Sequence, residues 1–261
     1  NTILALEMSS EKLDKISTIY FHLFGSESDQ EFQSLASEIS PILAKYNNDI
    51  MLDVDLFKKV EYVYKKIKPE LSKQDQKLTE VWYKEFIRNG ALLDTTKKDE
   101  LRQIDEKLSV LSPNFQNNNL NATNAYELWL SEEDLAGLPS TAIEAAEIAA
   151  KAKGKKDKFL ITLQATSFQP FITFSENRDL RKEIFTAFTS KCNGDEFDNT
   201  SIVKQIVKLK HKRARLLGYE NFADYVLEKR MAENQKSIYK LLDDLYDSCF
   251  KGAQKDLEIV K

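Results

Sequence analysis

A mainly α, multi-helix fold with at most one short β-hairpin near residues 159–174 is what this sequence predicts, on three observations. Apolar residues recur at spacings of three and four along most of its 261 residues, the period of a helix with one buried face. Only seven Gly and five Pro interrupt them, too few turn-formers for an all-β domain. The helical period fails clearly in one place, where two short β-rich runs occupy residues 159–163 and 171–174.

Leu13, Ile16, Tyr20 and Leu23 place a helix over residues 10–24, closed by Gly25. Ser28 and Glu31 match a capping box. The helix they open points Phe32, Leu35, Ile39 and Leu43 inward, with Pro41 as a kink. Leu56, Val60, Val63 and Ile67 make a stripe that ends at Pro69, and Leu78, Val81, Trp82, Phe86 and Ile87 make another that stops at Asn89-Gly90. The most regular stripe is Leu101, Ile104, Leu108, Leu111 and Phe115. It extends through Asn121, Tyr126 and Trp129 if Pro113 kinks the helix without ending it, against an Asn-rich stretch over residues 114–124.

Pro139 suits the first position of an Ala-rich helix that fades at Lys153-Gly154, and Lys and Gly make residues 151–158 a solvated loop. The two β-rich runs, with Pro170 between them, pair as a hairpin or lie extended against helices. Beyond them Leu180, Ile184, Phe185 and Phe188 share a helical face that begins at Asn177 or Arg178. Asp198-Asn199-Thr200 caps a helix running through Ile202, Ile206, Leu209 and Leu216 to Gly218. A short helix follows from Asn221, and a last one runs from Asn234 through Ile238, Leu241, Leu245 and Tyr246 towards Ile259. Breaks at Gly137 and Gly154 put a sub-boundary over residues 137–154 within a helical portion spanning 1–261. No fixed repeat of solenoid length occurs.

The formal net charge is −4, which argues against a nucleic-acid partner, and no apolar run is long enough for a membrane span. Asn1-Thr2-Ile3-Leu4-Ala5-Leu6-Glu7 has no basic stretch of a signal peptide. Cys192 and Cys249 read as free thiols of a reducing, cytoplasmic compartment. His22 and His211 are the two histidines, and neither has a second His, Cys or paired carboxylate at ligand spacing. Nucleophile elbows and phosphate loops are absent. The carboxylate pairs Asp243-Asp244 and Glu132-Glu133 read as solvated charge. No catalytic, cofactor-binding or metal-ligating residue is therefore assigned. Residues 204–215 carry five Lys or Arg besides Lys204 and no acid. They read as a charged outer face, with a phosphate or an acidic peptide terminus as the alternative use.

Two stretches carry a resemblance. Phe159-Leu160-Ile161-Thr162-Leu163-Gln164, then Gln169-Pro170-Phe171-Ile172-Thr173-Phe174-Ser175-Glu176-Asn177-Arg178-Asp179-Leu180-Arg181, resembles a block of the thimet oligopeptidase and peptidyl-dipeptidase family of zinc peptidases. Asp198-Asn199 and Leu216-Leu217-Gly218-Tyr219-Glu220-Asn221-Phe222-Ala223-Asp224-Tyr225 continue it in order. Upstream, Phe86-Ile87-Arg88-Asn89-Gly90-Ala91-Leu92-Leu93 and Asp134-Leu135-Ala136-Gly137-Leu138-Pro139 are similar too. The resemblance implies an almost all-helical ellipsoid with a deep channel floored by zinc. In that family zinc sits on a His-Glu-x-x-His helix with a further Glu downstream, and the Glu of the motif activates the attacking water.

This sequence holds no His-Glu dipeptide, so no site residue is carried across. The resemblance then implies an N-terminal to middle portion of such an enzyme, truncated before the motif and inactive alone. It would form a wall of the channel that admits short peptides. Zinc would belong to the parent enzyme, held by the C-terminal catalytic portion of the same polypeptide. The alternative is a free-standing helical binding or scaffold module without enzymatic activity.

Overall fold

The structure, a computed structural model, describes residues 2–26 and 28–261. The fold is mainly α with one two-stranded antiparallel sheet, the class the sequence predicts. Two compact units divide the chain, each discontinuous in sequence. The first holds residues up to Ile16, Ile42–Leu108 and Val207–Lys261, and the second holds Ser17–Pro41 and Ser109–Ile206.

In the first unit, α1 (Thr2–Ser9) packs on α5 (Val54–Tyr62) and α6 (Lys73–Arg88). Asp53 caps α5 by accepting from the Leu56 N–H at 2.7 Å, and Ser72 caps α6 through the Asp75 N–H. Their facing sides bury Phe57, Val60 and Phe86 together with Ile3 and Leu6. Tyr83 stacks on Tyr64 with centroids 4.0 Å apart, adding ring contact to the apolar burial. The stripe expected to end at Pro69 loosens earlier, through a π turn over Val63–Ile67 and a 3-10 turn over Lys68–Glu70. The stop at Asn89-Gly90 is as expected: Asn89 ends α6, and Gly90 has φ +96°, where an added Cβ would collide with Leu101 and Leu93.

In the second unit, β1 (Leu128–Leu130) pairs with β2 (Phe159–Ile161) in the register Leu128↔Ile161, Trp129↔Leu160, Leu130↔Phe159. This corrects the expected partner, because the run over residues 171–174 is not a strand but the end of α9 (Ala165–Phe174). Phe168 and Phe171, one helical turn apart, both drive into a core with Leu130, Ile161 and Ile184. That burial outweighs the β preference of the run, and Pro170 removes a single helix rung. For the same reason α7 (Thr95–Ala125) absorbs Pro113 but does not reach Trp129. Leu128 and Leu130 are buried while Trp129 is not, the alternation of a strand.

Further boundaries shift for local reasons. α2 (Glu11–Ser26) continues through Gly25, which lacks the left-handed φ of a stop. Asp29, and not Ser28, caps α3 (Gln30–Ser34), accepting from the Phe32 N–H at 2.8 Å, while the Ser28 hydroxyl donates back to the Phe24 carbonyl. The break before α4 (Ala36–Met51) falls at Leu35, ahead of Pro41. Pro139 caps α8 (Ser140–Ala152) one position earlier than expected. On α10 (Arg178–Ser190), Ile184 is fully buried but Phe185 stays exposed. α11 (Thr200–Leu216) and α12 (Phe222–Leu227) follow, and α13 (Gln235–Val260) is capped by Asn234 as expected.

Candidate functional site

The first unit closes on a polar cluster built from the end of α6, the middle of α7, the end of α11 and all of α12. Gly218, at φ +92°, turns the chain after α11, and Asn221 caps α12 by accepting from the Asp224 N–H at 3.0 Å. Those two devices place Tyr225 and Glu228 over Arg88, the last residue of α6. Arg88 is 7% exposed. Its guanidinium donates to the Tyr225 carbonyl at 2.8 Å, pairs with Glu228, and lies 4.3 Å from the Tyr225 ring centroid.

Arg213 approaches the same ring to 5.3 Å while its Nε donates to Asp105 at 2.7 Å and its Nη2 to Asn89 at 3.3 Å. Burial alone would lower the Arg213 pKa, but the Asp105 carboxylate outweighs it and raises the pKa. Each buried cation thus has a carboxylate partner and a share of one aromatic face. The cluster holds no nucleophile beside a base, and its charges face each other. Its chemistry is positional: it fixes α12 and the Gly218 turn.

The Tyr219 hydroxyl donates to Glu228 in that cluster. Burial, and then the bond to Glu228, push its pKa from the ordinary 10 up to about 12. Its folded value lies above its unfolded one, so its contribution is complete below about pH 10 and is lost as pH rises towards 12. In thermal melts across that window, the stability advantage of the wild type over Tyr219→Phe is expected to shrink. An advantage constant in pH would show that Tyr219 does not titrate in this environment.

The residues singled out from sequence do not converge. His22 and His211 are exposed on α2 and α11. Cys249 is exposed on α13, and Cys192 is half-buried at φ +61°, with its thiol pushed up by burial. Asp243 and Asp244 lie exposed on α13, Glu132 and Glu133 in an exposed 3-10 turn. Within residues 204–215, Lys212 pairs with Glu100 at 2.6 Å and Lys210 covers the Phe222 ring at 5.0 Å, so part of the basic run is spent inside the unit. Among the described residues, no three of His, Cys, Asp and Glu gather as a metal ion requires. The donors present do not fit zinc. No helix of the described residues is long and apolar enough to cross a membrane.

Sequence reasoning missed two features. Arg88 meets Glu228 across 140 positions, and only its place between Ile87 and Asn89-Gly90 set it apart. The other is α13, a helix of 26 residues with none buried. Leu241, Leu242, Leu245, Tyr246 and Phe250 stand bare, Tyr246 at 60% exposure and Phe250 at 43%. The 3.6 period was legible there, but not the missing cover.

Residues 171–261 match the model of Peptidase family M3. A probable cytosolic oligopeptidase A of Arabidopsis thaliana is 30% identical over 98% of this chain and 38% of its own length. Oligopeptidase A of Haemophilus influenzae is 29% identical over 100% of this chain and 39% of its own, and a dipeptidyl carboxypeptidase of Escherichia coli 28% over 100% and 39%. The chain thus spans less than two-fifths of the length of these relatives.

Proposed function

We propose, on the premise that this is a thimet oligopeptidase-family sequence along nearly its whole length, that the chain is a non-catalytic wall of a peptidase channel. Short peptides are the substrates of the whole enzyme. Zinc and the water-activating carboxylate belong to polypeptide outside this chain, and the whole acts in the cytoplasm. The observation that carries the reading is the bare face of α13. A solvated helix about 39 Å long, at 1.5 Å per residue, does not keep this much leucine and aromatic surface in water without a partner. Polypeptide equivalent to the remaining three-fifths of the relatives supplies a partner of the right kind.

Two outcomes follow for the purified chain. It should not hydrolyse a quenched fluorescent peptide with added zinc, and it should self-associate to about twice the monomer mass or more in light scattering. Charges placed on the face by Leu242→Lys with Leu245→Lys should return it to a monomer. Chelator-sensitive turnover, or a wild-type monomer at high concentration, would overturn the reading.

A further inference from the structure

We propose that Asn193, in the loop between α10 and α11, is a self-modification site: its carboxamide cyclises onto the Gly194 nitrogen and hydrolyses to isoaspartate while the second unit stays folded. The inference goes beyond the peptidase reading and does not rest on it. Asn-Gly occurs twice in the chain, at Asn89-Gly90 and Asn193-Gly194. A glycine has no Cβ to shield its own backbone nitrogen, so both pairs are open to this chemistry in an unfolded chain. Folding separates them. Asn89 is half-buried, its Nδ2 donates to the Glu85 carbonyl at 2.9 Å and to the Glu85 carboxylate at 3.2 Å, and its Oδ1 accepts from Arg213 at 3.3 Å. The Gly90 N–H donates to the Ile87 carbonyl at 3.1 Å, and Leu52, Leu93 and Leu101 pack around that glycine. To cyclise, Asn89 must first give up these contacts.

Asn193 is held by none of this. It is exposed, and among the described residues its carboxamide makes no hydrogen bond. The Gly194 N–H has one long bond, 3.3 Å to Asp198 Oδ1, an oxygen that also accepts from the Thr200 hydroxyl at 2.6 Å and the Thr200 N–H at 2.9 Å. A Cβ on Gly194 would meet nothing within 4 Å, so the ring has room to form. In the first step the Gly194 nitrogen bonds to Asn193 Cγ, the Cγ–Nδ2 bond breaks, and the Gly194 amide proton leaves with Nδ2 as ammonia through solvent. Water then adds to one carbonyl of the succinimide. Cleavage at Cγ gives aspartate, and cleavage at the backbone carbonyl carbon gives isoaspartate, so one ammonia is exchanged for one water. Isoaspartate carries the chain through the former side chain and lengthens the backbone between Cys192 and Asn199. Those residues close the loop, because the Asn199 N–H donates to the Cys192 carbonyl at 2.9 Å. Asn199 is buried, and its carboxamide ties the start of α11 to α7, donating to the Phe115 carbonyl at 3.1 Å and accepting from Asn118 at 2.9 Å. The new carboxylate also joins Asp195, Glu196 and Asp198 in one short loop, where like charges repel. Conversion therefore loosens the closure that positions Asn199.

The test incubates the full chain in mildly alkaline buffer, folded and in parallel in urea, then digests it in acid and weighs the peptides. In the fold, the Asn193 peptide is expected to gain the mass of NH₂ replaced by OH and to split into isoaspartyl and aspartyl forms. Its rate should exceed that of the Asn89 peptide about tenfold or more, the population cost of freeing Asn89 from its hydrogen bonds. In urea that difference should largely vanish. Asn193→Gln, whose longer side chain closes a ring far more slowly, should keep its mass and melt like fresh wild type. After ageing, the Asn199 amide should exchange faster in the wild type and at its fresh rate in Asn193→Gln. Equal rates at the two sites in the fold, an unconverted Asn193, or a difference that persists in urea would each overturn the proposal. None of these outcomes depends on turnover or on α13, so failure here and failure of the channel-wall reading are read separately.

Discussion

Gly137→Ala is expected to destabilise the second unit by about 3 kcal/mol or more, the range of a steric clash in a packed backbone turn. Gly137 has φ +86°, and a Cβ there would fall inside the van der Waals shell of the Phe174 carbonyl oxygen and against Glu176. Two costs add: the left-handed backbone, which a side chain resists, and the collision with backbone that cannot swing aside. The chain is tied at this point by the Glu176 N–H donating to the Ala136 carbonyl at 2.9 Å, and Arg181 donates to the Ser175 carbonyl beside it. Relieving the clash therefore means breaking the link between the β1–α8 connection and the α9–α10 turn. A fall in the guanidinium midpoint with an unchanged slope would bear this out. A loss below about 1 kcal/mol would mean that the turn gives way without cost. Gly154→Ala serves as the control: its φ is +77° but a Cβ there meets nothing within 4 Å, so it should show the backbone cost alone.

Much of the fold was legible because the apolar period and the caps are local. The stops at Asn89-Gly90 and Gly154, and the starts at Asn177, Asn221 and Asn234, are written within a few residues of where they act. Apart from local shifts of caps and helix ends, what failed was decided at a distance. Residues 171–174 have strand composition, yet Phe168 and Phe171 reach a common core only as a helix, while the vacant place beside β2 goes to Leu128–Leu130. The resemblance to the oligopeptidases was legible from ordered blocks. The polar cluster was not, since Arg88, Asp105, Arg213 and Glu228 are ordinary charged residues until folding brings them together. The bare face of α13 was hidden in the opposite way: an amphipathic period reports which side is apolar and says nothing about what covers it.

Arg88→Met carries the second large effect, an expected loss of about 2–4 kcal/mol from the first unit. The substitution keeps the volume and apolar stem but removes a buried charge, its bond to the Tyr225 carbonyl, and its pairing with Glu228. The Tyr225 carbonyl then loses the donor that replaced water. The partners respond unequally. Glu228 is half-exposed and can rehydrate, whereas Arg88 in a Glu228→Ala variant stays in the interior with its charge unanswered. Glu228→Ala should therefore cost at least as much as its exposure alone suggests. The double variant should cost less than the two singles together, by about 1 kcal/mol or more. Simple additivity would mean that the ion pair contributes nothing. Hydrogen exchange locates the effect, because this cluster joins α12 to the end of α6: amides of Phe222–Leu227 should lose protection in Arg88→Met while those of α9 do not change. α13 follows α12 and is joined to it by Gln235, whose amide donates to Asp224 at 2.6 Å. Arg88 thereby supports the α12 end to which α13, begun by its Asn234 cap, is joined, and in the channel-wall reading a loosened α12 lowers the affinity of the bare face for its partner with no change on that face itself.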